Sequence, residues 1–123
     1  MNFKELKELK LFDIKVLEKV KFEKLEFLSL GENNISDINI LENINYKELQ
    51  TLKLSTNKIS DIKVLENANF KELKELHLSD NKISDIQVLE KVNFKELEIL
   101  NLSNNSINNN STIIKYLKSK IQI

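Results

Sequence analysis

Leucines recur along the chain in a fixed pattern, L-x-x-L-x-L. Copies of this pattern begin every 24 residues, at Leu25, Leu49, Leu73 and Leu97. Side chains two residues apart lie on the same face of a β-strand, so the second and third leucines of each copy predict a short strand with one apolar face. No single copy can bury that face by itself, so the copies are predicted to stack side by side.

The second half of each copy predicts a different element. It reads N-x-I-S-D-I-x-V/I-L, and its Ser-Asp pair is a helix-start signal because a side-chain oxygen can accept a hydrogen bond from a free N–H there. The apolar residues that follow form one stripe, which predicts a short α- or 3₁₀-helix. An aromatic residue near the end of each copy predicts a column on the outer side of the stack, formed by Phe3, Phe22, Tyr46, Phe70 and Phe94.

An asparagine stands where each predicted strand ends and the chain turns inward. These residues are Asn33, Asn57, Asn81 and Asn105. The turn leaves backbone N–H and C=O groups in the interior, and such groups need hydrogen-bond partners. A carboxamide both donates and accepts, so stacked asparagines are predicted to satisfy these groups from one copy to the next.

The complete pattern, L-x-x-L-x-L-x-x-N-x-I-S-D-I-x-V/I-L-E, resembles the leucine-rich repeat family, and within it the internalin-type repeats, over essentially the whole chain. The resemblance implies an α/β fold, namely a right-handed leucine-rich repeat solenoid. A parallel β-sheet is expected on its concave face and short α- or 3₁₀-helices on its convex face. The resemblance also implies that the four asparagines form the family's asparagine ladder.

We expect a single domain over residues 1–123. Its predicted parts are a shortened N-terminal repeat (1–24), three full repeats (25–48, 49–72 and 73–96), a last repeat (97–110) and a C-terminal cap (111–123). The first repeat lacks five residues where the others carry N-x-I-S. In the last part, Ile113, Ile114, Leu117 and Ile121 share a helical face, which favours a cap over a helix that docks a partner.

Composition argues against several classes of function. The chain has 19 basic residues, all of them lysine, and 19 acidic residues. A nucleic-acid binder normally shows a basic excess and some arginine, so we expect no nucleic-acid partner. The lack of cysteine removes disulfides and thiolate metal ligands. With no signal-peptide pattern and no apolar run of membrane-spanning length, we expect no membrane partner and a cytoplasmic location.

The single histidine raises the question of catalysis. His77 and Ser79 would lie side by side on one strand, about 7 Å apart, too far for the hydrogen bond between a nucleophile and its base. Asp80 falls in the turn that follows. An aspartate also precedes each helical stripe, where capping is a simpler reading than calcium binding; these residues are Asp13, Asp37, Asp61 and Asp85. We therefore expect no enzyme, no catalytic residue, no metal site and no cofactor.

The resemblance implies that a protein partner binds the concave sheet through the variable residues between the leucines. The candidate partner-binding residues are Phe27, Ser29, Thr51, Lys53, Glu75, His77, Ile99 and Asn101. We expect a non-enzymatic protein–protein interaction module. The alternative is a purely structural or scaffolding array, a fragment or an idealised repeat without a ligand of its own, which the uniformity of the repeats favours.

The first repeat presents an edge strand at residues 6–11. An unpaired edge is a template for another chain, although its charged residues partly guard it. The apolar end of the stack is formed by Leu6, Leu9, Leu11, Ile14 and Leu17. The sequence therefore predicts weak self-association through the N-terminal edge.

Overall fold

The computed structural model describes residues 5–92, 94–108 and 111–123. Within them the chain forms five strands of three residues each: β1 (Glu8–Lys10), β2 (Phe27–Ser29), β3 (Thr51–Lys53), β4 (Glu75–His77) and β5 (Ile99–Asn101). The strands form one parallel sheet in sequential order. Their pairing follows the repeat, since Leu9 lies opposite Leu28, and Leu52 opposite Leu76. The predicted α/β solenoid is therefore confirmed.

Short helical segments run along the other side of the sheet. They are the α-helix α1 (Val16–Lys19), three 3₁₀-helices (Asn39–Asn43, Lys63–Glu66 and Gln87–Glu90) and the α-helix α2 (Thr112–Lys118). An aspartate precedes each of the first four, and its Oδ1 accepts a hydrogen bond from the N–H two residues later, as Asp61 does from Lys63 at 2.9 Å. The aspartates thus form the turn that leads into each helix, one or two residues before an N-cap residue that makes no side-chain capping bond of its own. The serines that precede Asp37, Asp61 and Asp85 are exposed.

The leucines and isoleucines of the repeat fill the space between the sheet and the helices. Leu28, Leu52 and Leu76 are fully buried, and so are Ile59 and Ile83. Leu6, Leu9 and Leu11 of the first repeat are only half-buried, because among the described residues β1 pairs on one side only, with β2; Leu17, in α1, is buried.

The aromatic column lies on the convex side. Phe22, Tyr46 and Phe70 are buried, whereas Phe94 is half-buried with its ring centre 6.4 Å from that of Phe70. Phe3, the first predicted member, lies outside the described residues.

Each ladder asparagine binds backbone groups of two repeats. Asn81 Nδ2 donates to the carbonyl oxygen of Leu54 at 3.0 Å and to that of Leu78 at 3.1 Å, and its Oδ1 accepts from the N–H of Ile59 at 3.0 Å. Asn57 and Asn105 make the same set of bonds. The asparagine ladder predicted from the sequence is confirmed.

The residue before each ladder asparagine has a left-handed backbone. Its φ is 58° at Glu32, 59° at Thr56, 56° at Asp80 and 55° at Asn104. This conformation turns the chain out of the strand and aims the next side chain inward. The N–H of Thr56 also donates to the carbonyl oxygen of Ser79 in the next repeat at 2.9 Å. The turn is therefore held between repeats as well as within each one.

The chain closes the last repeat with α2. Ser111 Oγ accepts a hydrogen bond from the N–H of Ile114 at 3.2 Å, which starts the helix. Ile114 and Leu117 are buried in the common core. Beyond α2, Gln122 forms a single parallel bridge with Ile99 of β5, so the sheet extends by one residue past its fifth strand.

Candidate functional site

Two rows of variable side chains lie on the open face of the sheet, because they alternate with the buried leucines. Strand pairing defines the first row as Phe27, Thr51, Glu75 and Ile99, and the second as Ser29, Lys53, His77 and Asn101. Lys53 is exposed and the other seven are half-buried. All eight candidate residues therefore share one surface.

A lysine covers the one aromatic ring among them. Lys53 Nζ lies 5.3 Å from the ring centre of Phe27, across the boundary between β3 and β2. A cation at this distance is attracted by the negative face of the ring. The contact orders both side chains and leaves part of the ring open to solvent.

Glu75 connects β3 and β4 next to this pair. Its Oε2 accepts a hydrogen bond from Thr51 Oγ1 at 3.3 Å. Its other oxygen, Oε1, lies 3.4 Å from Nε2 of His77, two residues along the same strand. The carboxylate is thereby held on both sides, and the imidazole with it.

The structure thus brings five of the eight candidate residues together. We call this set the concave cluster; it comprises Phe27, Thr51, Lys53, Glu75 and His77. Asn101 instead accepts hydrogen bonds from the N–H and the Oγ of Ser103. Ile99 lies three strand steps from Phe27, so the two apolar residues do not share a patch.

The serines at the end of the strands form a separate contact. Ser79 Oγ donates to Ser55 Oγ at 2.9 Å, and Ser79 is buried. Its hydroxyl therefore points to the neighbouring repeat. In the described part of the chain, no three His, Asp or Glu side chains are close enough together to hold a metal ion.

One exposed aromatic residue received no role in the sequence analysis. Phe12, directly after β1, is 90% exposed. The corresponding residues of the later repeats are Gly31, Ser55, Ser79 and Ser103. The signal that singles out Phe12 is therefore a large apolar side chain where the other repeats carry glycine or serine.

Across the described ranges, no helix has the length and apolar character needed to span a membrane.

Comparison with known proteins places the chain among repeat proteins. A family model described as leucine-rich repeats (2 copies) matches residues 71–116. The crystal structure of an internalin C2 from Listeria monocytogenes is 30% identical with a TM-score of 0.70, and the match covers 88% of this chain and 46% of that one. An internalin F from the same organism is 32% identical with a TM-score of 0.68, covering 85% and 31% of the two chains. No curated protein sequence matches. The chain spans less than half the length of either internalin.

Proposed function

Because this chain is a leucine-rich repeat protein, we propose that it is a non-enzymatic module that binds a protein partner on its concave sheet. The observation that carries the proposal is the contact between Lys53 and Phe27 within the concave cluster. It provides a partly exposed aromatic ring, ordered by a neighbour, on the surface that the repeats build.

An ordered aromatic ring is an efficient anchor for a partner. Aromatic residues are enriched among the side chains that contribute most to binding, since they offer a large contact area with few rotatable bonds. The lysine already restricts the Phe27 ring, so less conformational entropy is lost on binding. Lys53, two residues along β3 from Thr51, and Glu75, opposite Thr51 on β4, supply charges of opposite sign. We expect the partner to present an apolar side chain near Phe27, an acidic group near Lys53 and a basic group near Glu75.

The test is a pull-down with three forms of the chain. One is wild type, one carries Phe27→Ser, Lys53→Ser and His77→Ser, and a matched control carries Asn67→Ser, Gln87→Ser and Lys91→Ser on the convex side. The control residues are exposed. We expect a partner that wild type and the convex control retain and the concave variant loses. A partner that the concave variant retains in full would contradict the proposal, provided all three forms melt at the same temperature.

We also propose weak self-association through the N-terminal edge. Within the described residues β1 pairs with β2 alone, and Leu9 and Leu11 are half-buried where Leu28 and Leu30 are fully buried. The edge strand reads Glu-Leu-Lys. If two copies pair antiparallel about Leu9, each Glu8 lies opposite the Lys10 of the other copy, so the charges are self-complementary.

The cytoplasmic location expected from the sequence stays a prediction, and fractionation of the cells that produce the protein would test it.

A further inference from the structure

The first repeat differs from the third mainly by an omission. Residues 9–18 read LKLFDIKVLE, and residues 52–66 read LKLSTNKISDIKVLE. The first repeat therefore lacks Thr-Asn-Lys-Ile-Ser between Phe12 and Asp13. We call this the missing segment.

In the full repeats the isoleucine of this segment is bound by the repeat that follows. The N–H of Ile35 donates to Asn57 Oδ1 at 3.0 Å, and its carbonyl oxygen accepts from the N–H of Lys58 at 2.8 Å. Both main-chain groups of one residue are thus held at once. The pair of bonds recurs with the same two lengths at Ile59 and at Ile83.

The corresponding pair of groups in the second repeat faces the missing segment. Asn33 Nδ2 donates to the carbonyl oxygens of Leu11, Leu30 and Gly31 at 3.0–3.2 Å. Neither Asn33 Oδ1 nor the N–H of Asn34 has a hydrogen-bond partner among the residues that the structure describes. Because the repeats superpose in register, the acceptor and the donor both point toward the place that an isoleucine of the first repeat would fill.

A groove of about 430 Å³ lies at this place. Phe12, Asp13, Ile14 and Lys15 line one side, and residues 32–37 line the other. Its apolar lining includes Ile35, which is 8% exposed, whereas Ile59 and Ile83 are fully covered by their neighbours.

We propose that this groove binds an extended peptide segment that carries isoleucine or valine, in place of the missing segment. The N–H of that residue donates to Asn33 Oδ1, and its carbonyl oxygen accepts from the N–H of Asn34. Its side chain lies between Ile14 and Ile35, and Phe12 covers the flank. The bound segment would make the same contact that Ile35, Ile59 and Ile83 make with the repeat that follows each of them. The chemistry of that contact therefore indicates which residue the segment carries.

At such a site, the two hydrogen bonds to the peptide main chain provide affinity, and the apolar position between the isoleucines provides selectivity. Main-chain hydrogen bonds hold the peptide whatever its sequence, and the apolar position between the isoleucines selects a branched aliphatic side chain. A proline at that position would lack the N–H. The site lies at the end of the ladder rather than on the concave cluster, so it is independent of the function proposed above.

The test uses the acetylated and amidated peptide Thr-Asn-Lys-Ile-Ser and the ¹⁵N-labelled chain. We expect chemical-shift changes in NMR titrations that centre on the amides of Asp13, Asn34 and Ile35, with a Kd of about 1 mM, the weak range for a short peptide. The same peptide with an N-methyl group on its isoleucine is expected to bind at least about tenfold more weakly, because it cannot donate to Asn33.

Protein variants provide the matched controls. Phe12→Ser is expected to weaken binding several-fold, since it exchanges the exposed ring for the residue that the third repeat carries. Tyr116→Ser, which removes another exposed aromatic residue, is expected to leave binding unchanged. Insertion of Thr-Asn-Lys-Ile-Ser between Phe12 and Asp13 is expected to abolish binding by filling the groove from within the chain.

Three outcomes would overturn the proposal. The first is a lack of chemical-shift changes at a peptide concentration of about 10 mM, which is well above the expected Kd. The others are shifts centred on the concave cluster and equal binding of the N-methylated peptide. The variant with serine at Phe27, Lys53 and His77 is expected to bind the peptide normally. Failure of concave binding and failure of groove binding are therefore distinguishable.

Discussion

The backbone N–H of Ile35 donates a hydrogen bond of 3.0 Å to the side-chain oxygen of Asn57, one repeat further along the chain. Asn57 is only 8% exposed, and its Nδ2 donates to the carbonyl oxygens of Leu30 and Leu54. With a longer contact of 3.4 Å to the carbonyl oxygen of Ser55, one side chain thus bonds to four backbone groups of two repeats. A carboxylate has no N–H to donate, and a leucine has neither group.

We expect Asn57→Ala to lower the free energy of unfolding by roughly 1–3 kcal/mol, because it leaves buried backbone groups without partners. The control is Asn67→Ala, at an exposed residue whose side chain makes no hydrogen bond within the described ranges. That change should stay within about 0.5 kcal/mol. Urea denaturation of both variants measures the difference. Equal losses would show that the ladder does not contribute to stability in this way.

The left-handed turn at Thr56 gives a second prediction. A β-branched residue at a φ of 59° is strained. Asparagine tolerates this region, and Asn104 occupies the same position of its repeat at 55°. We expect Thr56→Asn to raise the free energy of unfolding by about 0.5–1 kcal/mol. Thr56→Val keeps the branch and should bring no gain, so identical midpoints for the two variants in urea would refute the strain.

The hydroxyl of Tyr46 gives a third prediction. It is buried and has no hydrogen-bond partner among the described residues. The other described residues of the column are phenylalanines. We expect Tyr46→Phe to stabilise the protein by about 1–3 kcal/mol, because burying a hydroxyl without a partner is unfavourable. Tyr116→Phe, at an exposed tyrosine, is the control and should leave the melting temperature unchanged.

The same hydroxyl makes stability depend on pH. Burial raises the pKa of Tyr46 to about 12. An unfolded tyrosine has a pKa near 10, so between about pH 10 and 12 the unfolded chain binds fewer protons than the folded one. The free energy of unfolding is therefore not reduced by ionisation of this group below about pH 10, and it falls as the pH rises through this window. We expect the wild type to lose more stability there than Tyr46→Phe does; parallel curves would contradict the assignment.

Self-association gives a fourth prediction, which sedimentation velocity tests. We expect the sedimentation coefficient of the wild type to rise with concentration, and that of Leu9→Lys to stay constant. Glu8→Lys leaves the half-buried leucine in place and sets like charges opposite each other, so it should also prevent association. The double change Glu8→Lys with Lys10→Glu should restore it. A wild type that stays monomeric up to about 1 mM, the weak-binding limit, would rule the interface out.

The C-terminal segment gives a fifth prediction, since we propose that residues 111–123 act as a cap. Ile114 and Leu117 belong to the common core. Deletion of 111–123 should uncover the last repeat and cause aggregation or a broad, less cooperative transition, because uncapped repeat arrays expose apolar ends. Tyr116→Ser, on the exposed side of α2, is the control. A truncated chain that stays monomeric with an unchanged melting curve would show that the last repeat needs no cover.

The sequence predicts those parts of the molecule that follow from the type of residue and its spacing in the repeat. The spacing of Leu28 and Leu30 indicates a strand, and the carboxamide of Asn57 indicates a bridge between repeats. The left-handed turns were not predictable, because only Asp80 and Asn104 are residue types that favour positive φ, whereas Glu32 and Thr56 are not.

On the concave face the sequence predicts which residues share the surface, since strand register follows from the repeat. The contact of Lys53 with Phe27 depends on side-chain conformation. That Asn33 Oδ1 has no partner among the described residues depends on the backbone path after Phe12. Neither can be read from spacing.

The register of the sheet has a consequence for inheritance. From β2 to β5 every strand step equals one period of 24 residues, and the turns after β2, β3 and β4 are each bound to the following repeat in the same way. Unequal recombination that adds or deletes one whole period in the gene therefore yields a chain in which the repeats on both sides of the junction can still pair and bond with each other. Point mutations on the open face meanwhile leave the leucine side untouched. Length and surface can diverge separately in the descendants of such a gene.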